Sequence, residues 1–106
     1  MYAYTVHAVF TDVHVAKAWV QWLRDGHVAE VIAAGAIGAA IVQIDGDGEP
    51  QCEARYTFAS KATFDVYEHD HAPRLRAEAA SRFPPGSVVY TRSSGAILWS
   101  SDEAHR

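Results

Sequence analysis

The sequence predicts an α+β domain with the element order β-α-β-β-α-β, a ferredoxin-like arrangement in which a four-stranded antiparallel sheet carries both helices on one face. Three observations carry that expectation. Tyr2 to Phe10 alternates Tyr2, Tyr4, Val6, Ala8 and Phe10 against Ala3, Thr5, His7 and Val9, the two-residue period of a strand. Ala16, Val20, Leu23, His27 and Val31 then recur at steps of three and four, the period of a helix. Two further strand-like runs, Ile37 to Ile44 and Gln51 to Ala59, flank Asp45-Gly46-Asp47-Gly48-Glu49-Pro50, whose Asp-Gly pairs tolerate the positive φ of a hairpin turn.

The remaining elements follow from caps and breakers. Thr11 or Asp12 caps the first helix by accepting from free backbone N–H groups, and Gly26 inside it predicts a bend or restart near Gly26-His27 before the end at Gly35. Ser60 caps a second helix bearing Phe64 and Tyr67, and Pro73 divides it into two pieces, the second reaching about Arg82. Phe83-Pro84-Pro85-Gly86 closes that element. Ser87 to Leu98 is the fourth strand, with a bulge or bend expected at Ser93-Ser94-Gly95.

A length of 106 residues fits one domain, assigned to residues 1–99, with a polar tail over 100–106. The net charge of −4 gives phosphate backbones no general attraction, so no nucleic-acid partner is expected. Cys52 is the single cysteine and has no internal disulfide partner. No window reaches the ~18 consecutive apolar residues of a membrane helix, since Glu30, Gly35 and Gly38 break the Ala-rich stretch. With no signal peptide visible, a soluble cytoplasmic protein that does not engage membranes is expected.

The helix-free face of such a sheet should be polar in a solitary domain, yet the strands carry apolar or small groups in both phases, as in Ile37, Ala39 and Ile41 against Ala40, Val42 and Ile44. A second copy packed by a two-fold axis would cover that face, so the expected partner is the chain itself, as a homodimer.

Two stretches, Trp19 to Ala40 (WVQWLRDGHVAEVIAAGAIGAA) and His71 to Phe83 (HAPRLRAEAASRF), resemble a small bacterial family of uncharacterised ferredoxin-like proteins, a domain of unknown function related to the dimeric α/β-barrel superfamily. Its most specific marks here are Trp19, Trp22, His27 and Glu30, then Ala72-Pro73 with Leu75, Glu78, Arg82 and Phe83. Where that family often continues with a glycine pair, this chain has Pro84-Pro85-Gly86. The resemblance implies the fold and the dimer. The wider superfamily includes cofactor-independent monooxygenases, polyketide cyclases and haem-degrading enzymes that use a pocket between helices and sheet, an analogy of fold.

Among residues able to carry chemistry, His27 stands out: beside a helix irregularity and near Trp22, it can serve as a general base or fasten the break. Trp19 and Trp22 share a helix side and make a pocket wall or a core plug. Tyr4, Tyr56 and Tyr90 sit on three strands and can bring hydroxyls to one cavity. Arg74 and Arg92 can hold a substrate carboxylate, or pair with Glu30, Glu53 or Glu78. His69-Asp70-His71 invites a metal, but neighbours two apart on a helix diverge by about 200° and no further ligand stands beside them, so neither metal nor cofactor is expected. Phosphate loops, nucleophile elbows and EF-hand loops are missing from the sequence.

Three readings of function follow. The first is a homodimer binding a small aromatic or hydrophobic molecule through Trp22, His27, Tyr56, Arg74, Tyr90 and Arg92, with His27 as the catalytic candidate. The second is a structural or protein-interaction dimer with no ligand. The third is a cofactor-independent monooxygenase, cyclase or isomerase.

Overall fold

β1 (Tyr2–Phe10) and β3 (Gln51–Phe58) form the centre of one sheet, with β4 (Val88–Ala96) beside β1 and β2 (Ala36–Ile44) beside β3. The computed structural model describes residues 1–101; positions 102–106 of the expected polar tail lie outside the described residues. All three pairings are antiparallel, and the order β2-β3-β1-β4 is that of a ferredoxin-like fold.

Helices α1 (Val13–Trp22) and α2 (Val28–Ala33) are joined through a π-helical segment at Leu23–His27, where Gly26 departs from helical geometry at φ 177° and ψ −29°. The break lies where the glycine predicts it. Asp12 caps α1 by accepting from the amides of His14 and Val15 at 2.8 and 3.0 Å. The second helical element is in two pieces, α3 (Lys61–Asp70), capped by Ser60 on the Thr63 amide at 3.1 Å, and α4 (Ala72–Arg82). Pro73 occupies the first turn of α4, where its missing N–H leaves no helical bond unmade.

The core lies between helices and sheet. One phase of each central strand enters it: Tyr4, Ala8 and Phe10 from β1, and Cys52, Ala54, Tyr56 and Phe58 from β3. Trp19, Leu23 and Val31 close it from the first helical element, and Phe64, Tyr67 and Leu75 from the second. Full burial of an apolar side chain such as Phe10, Phe58 or Leu75 contributes about 1.5–3 kcal/mol, so these contacts dominate the fold energetics. Phe64 and Tyr67 each make ring contact with both Tyr4 and Phe58, with centroids 5.1 Å apart for Tyr4 and Phe64 and 5.3 Å for Phe58 and Tyr67.

Two sequence expectations need correction. β4 pairs with β1 without interruption from Val88 to Ala96, so Ser93-Ser94-Gly95 forms no bulge. Alternation is kept there because Ser94 bonds the Tyr2 hydroxyl at 3.3 Å while its neighbours Ser93 and Gly95 lie in the opposite phase. The irregularity falls instead in β2, between Ala36 and Gly38, and leaves Ile37 57% exposed.

The helix-free face is built of four cross-strand rows in the order β4, β1, β3, β2: Val89-Val9-Gln51-Ile44, Thr91-His7-Glu53-Val42, Ser93-Thr5-Arg55-Ala40 and Gly95-Ala3-Thr57-Gly38. It is more polar at its centre than the sequence suggests. His7 Nδ1 lies 2.9 Å from Glu53, which also pairs with Arg55 at 2.8 Å, so its charges are satisfied internally. Apart from Gln51, the surrounding side chains are apolar, small, or Ser and Thr. Among the described residues, no helix is long and apolar enough to cross a membrane.

Candidate functional site

A cavity of about 40 Å³ lies between the sheet and the helices, walled by β1, β3 and β4 on one side and by α1, the π segment, α3 and α4 on the other. Its polar lining consists of Tyr4, Tyr56, Tyr67, Tyr90, His27, Arg76 and Arg92, with Trp19, Trp22, Leu23 and Leu75 as its principal large apolar walls. A water needs roughly 10–15 Å³ on the same kind of measure, so the space takes a few waters or the polar end of a larger molecule.

The strands supply the hydroxyls by register. Tyr4 stands opposite Tyr56 across the β1–β3 pair, and Tyr90 opposite Ala8 across β1–β4, all in the phase that faces the helices. Trp19 Nε1–H donates to the Tyr90 hydroxyl at 3.1 Å, tying α1 to the edge strand. The Arg92 guanidinium lies over the same tyrosine ring, 5.1 Å from its centroid. Arg76 Nη2 donates to the Tyr4 hydroxyl at 3.3 Å and to both oxygens of Glu68 at 2.9 Å.

His27 enters through the π segment. Residues five apart on an α-helix diverge by about 140°, whereas an i→i+5 turn stacks them, and the imidazole of His27 lies on the indole of Trp22 with centroids 4.1 Å apart. Burial lowers its pKa to about 4 against a smaller opposing pull from the Glu78 carboxylate, so the ring is neutral at pH 7. Burial raises the phenol of Tyr67 to about 12 and pushes Tyr56 further in the same direction, so both stay protonated donors. Among the described residues, two side-chain polar atoms are buried without a hydrogen-bond partner: His27 Nδ1 and Arg76 Nε.

Residues 1–94 match the family described as a domain of unknown function, DUF4286. This chain belongs to that family. No curated protein matches the sequence. Among solved structures, a dimeric ferredoxin-like protein from an uncultured marine organism is similar with a TM-score of 0.74 at 10% identity, covering 94% of this chain and 97% of that one. A putative antibiotic biosynthesis monooxygenase from Bacillus cereus gives 0.66 at 10% identity, covering 94% and 93%. A Streptomyces coelicolor monooxygenase solved with nanaomycin D gives 0.61 at 16% identity, covering 93% and 92%. At such identities the likeness shows a shared ferredoxin-like fold.

In this DUF4286 domain, five of the six residues expected at the site, Trp22, His27, Tyr56, Tyr90 and Arg92, line one cavity. Arg74 does not: it is exposed on α4 and pairs with Glu78 at 3.6 Å, one of the acids the sequence offered as a partner. Arg76, two residues on, takes the place expected of it. The sequence also gave no prominence to Tyr67, although its step of three from Phe64 put it on the buried side of α3. His69, on the exposed side, bonds Asp70 at 2.7 Å.

Proposed function

We propose that this protein is a homodimer that binds a small aromatic or hydrophobic molecule in its helix–sheet cavity, with an acceptor oxygen of the ligand turned inward. One observation carries the reading: the cavity wall is rich in hydrogen-bond donors, and two of its residues keep a buried polar atom without a partner. Native cores satisfy such groups, and an orphaned one costs about 1–3 kcal/mol unless something else bonds it. Arginine Nε can only donate, so what meets it must accept: a carboxylate, a carbonyl or an enolate oxygen. Tyr56 and Tyr67, held protonated by burial, favour the same partner. The apolar part of the ligand would lie at the mouth, against Trp22, Tyr90 and Arg92.

Self-association is supported by the dimeric ferredoxin-like neighbours and by the helix-free face, where Glu53 pairs with His7 and Arg55. The reading extends to cofactor-independent chemistry, of the monooxygenase, cyclase or isomerase kind, through neutral His27 as the group able to accept a proton from a bound acid. Two structural neighbours described as monooxygenases support that extension by fold analogy.

The experiment is native mass spectrometry of gently purified protein, with thermal-shift titrations of benzoate, salicylate and a hydroxynaphthoquinone, on the wild type and on Arg76→Met and His27→Ala. A reproducible adduct or a shift that both variants lose supports the site. A second reading, a dimer that binds no small molecule, is favoured by the small size of the cavity, about 40 Å³, and a clean dimer insensitive to every compound would establish it.

A further inference from the structure

We propose that the ligand of the helix–sheet cavity is a monoanion, a carboxylate or an ionised enol, selected by the unpaired positive charge of Arg92 at the cavity mouth; this rests on the ligand-binding reading above. The charge of the lining carries the inference. The chain has 13 acidic and 9 basic residues of Lys and Arg type and a net charge of −4, yet among the described residues two arginines, Arg76 and Arg92, and no carboxylate line the cavity.

The two arginines stand in different electrostatic situations. Arg76 is already balanced, because its Nη2 donates to both oxygens of Glu68 at 2.9 Å. Arg92 forms no ion pair among the described residues, and its guanidinium rests over the Tyr90 ring instead of a carboxylate. Register holds it there. Arg92 stands opposite Val6 across β1–β4, in the phase that faces the helices, and β4 is an edge strand, so the residue is exposed while it still lines the cavity.

Neighbouring acids do not supply the missing charge. Asp65 and Asp70 on α3 pair with Lys61 and His69, and Glu53 lies on the helix-free face with His7 and Arg55. Asp25, Glu30 and Glu78 border a separate cavity on the outer side of His27. Both guanidiniums are felt inside: burial is the main effect that raises the Tyr67 phenol, and Arg76 and Arg92 each pull against it. An anion beside that phenol meets the same two fields.

Arg76, Glu68 and Arg92 together leave one positive charge, beside apolar walls that lower the local dielectric and strengthen attraction between opposite charges. A ligand seated at the mouth takes water from Arg92, so it must bring the charge that water no longer solvates. A neutral carbonyl would bond Arg76 Nε equally well and leave Arg92 unbalanced, whereas a dianion would carry a second charge with nothing to meet it.

The test is isothermal titration calorimetry of the full chain with matched probes: benzoate against benzamide and phthalate for the carboxylate, and a hydroxynaphthoquinone against its methyl ether for the enolate. Variants are Arg92→Gln, Arg92→Lys and, as a charge control away from the cavity, Lys17→Gln, each checked for native circular dichroism. One of the two monoanions should bind the wild type about tenfold or more tightly than its neutral partner, lose about tenfold in Arg92→Gln, and stay within about threefold in Arg92→Lys and Lys17→Gln. Which monoanion binds tells a carboxylate ligand from an enolate, and phthalate should bind more weakly than benzoate if the carboxylate is the match. Neutral partners binding as tightly as the anions, an affinity unmoved by Arg92→Gln, or an equal loss in Lys17→Gln would overturn the selection by Arg92 and leave the cavity site standing. Failure of every probe on the wild type would overturn the cavity reading itself.

Discussion

The imidazole of His27 lies on the indole of Trp22 at 22° between ring planes, and the same indole meets Phe83 edge-on with centroids 5.6 Å apart. A single departure from α-helical winding therefore links the cavity wall to the end of α4. On its outer side His27 also borders a shallow cavity with Asp25, Glu30 and Glu78, so the ring separates the interior from an acidic surface.

That position makes stability pH-dependent in a defined direction. The folded chain holds His27 at about 4, below the ordinary 6.5 of the unfolded chain, so acid protonates the unfolded form first. The contribution is level above about pH 6.5 and is lost as pH falls from there through about 4. Urea midpoints measured across this window should fall less steeply in His27→Gln than in the wild type, and parallel curves would show that His27 titrates alike in both states.

Tyr90→Phe should lower stability by about 1–2 kcal/mol, because it leaves the indole N–H of Trp19 without its acceptor in a partly dry site. Trp19 is 2% exposed, so its fluorescence should report the loss of the bond within the native baseline. The check is urea denaturation followed by fluorescence.

Leu75→Ala should cost about 2–5 kcal/mol, since Leu75 is 1% exposed and its loss enlarges the cavity. The same variant should gain affinity for small apolar probes such as benzene, read as a thermal shift. A loss below about 1 kcal/mol would mean that α4 collapses into the space.

Ala40→Arg tests the helix-free face. Ala40 stands in the row Ser93-Thr5-Arg55-Ala40, so a second guanidinium there stands opposite Arg55 and puts an unpaired charge into any interface on this face. Native mass spectrometry should find a folded monomer, whereas an unchanged dimer would place the interface elsewhere.

The sequence by itself determined the elements, because their signals are local: the period of two in Tyr2 to Phe10, the caps at Thr11 or Asp12 and at Ser60, the breakers Gly26 and Pro73, and the Asp-Gly pairs of the hairpin. It also placed Tyr4, Tyr56 and Tyr90 in one phase of three strands that share a sheet, which is why they meet. The tertiary structure decided which arginine enters the cavity. Arg74 and Arg76 differ by two positions on α4, about 200° of rotation, and that rotation sends one to Glu78 at the surface and the other to Tyr4 and Glu68. It also decided the stacking of Trp22 on His27, which depends on one extra residue in a helical turn, and the straightness of β4, where alternation across the sheet outweighed the local turn propensity of Ser93-Ser94-Gly95. Local signals fix what a segment becomes; which side chains share a space depends on rotation and register that only packing sets.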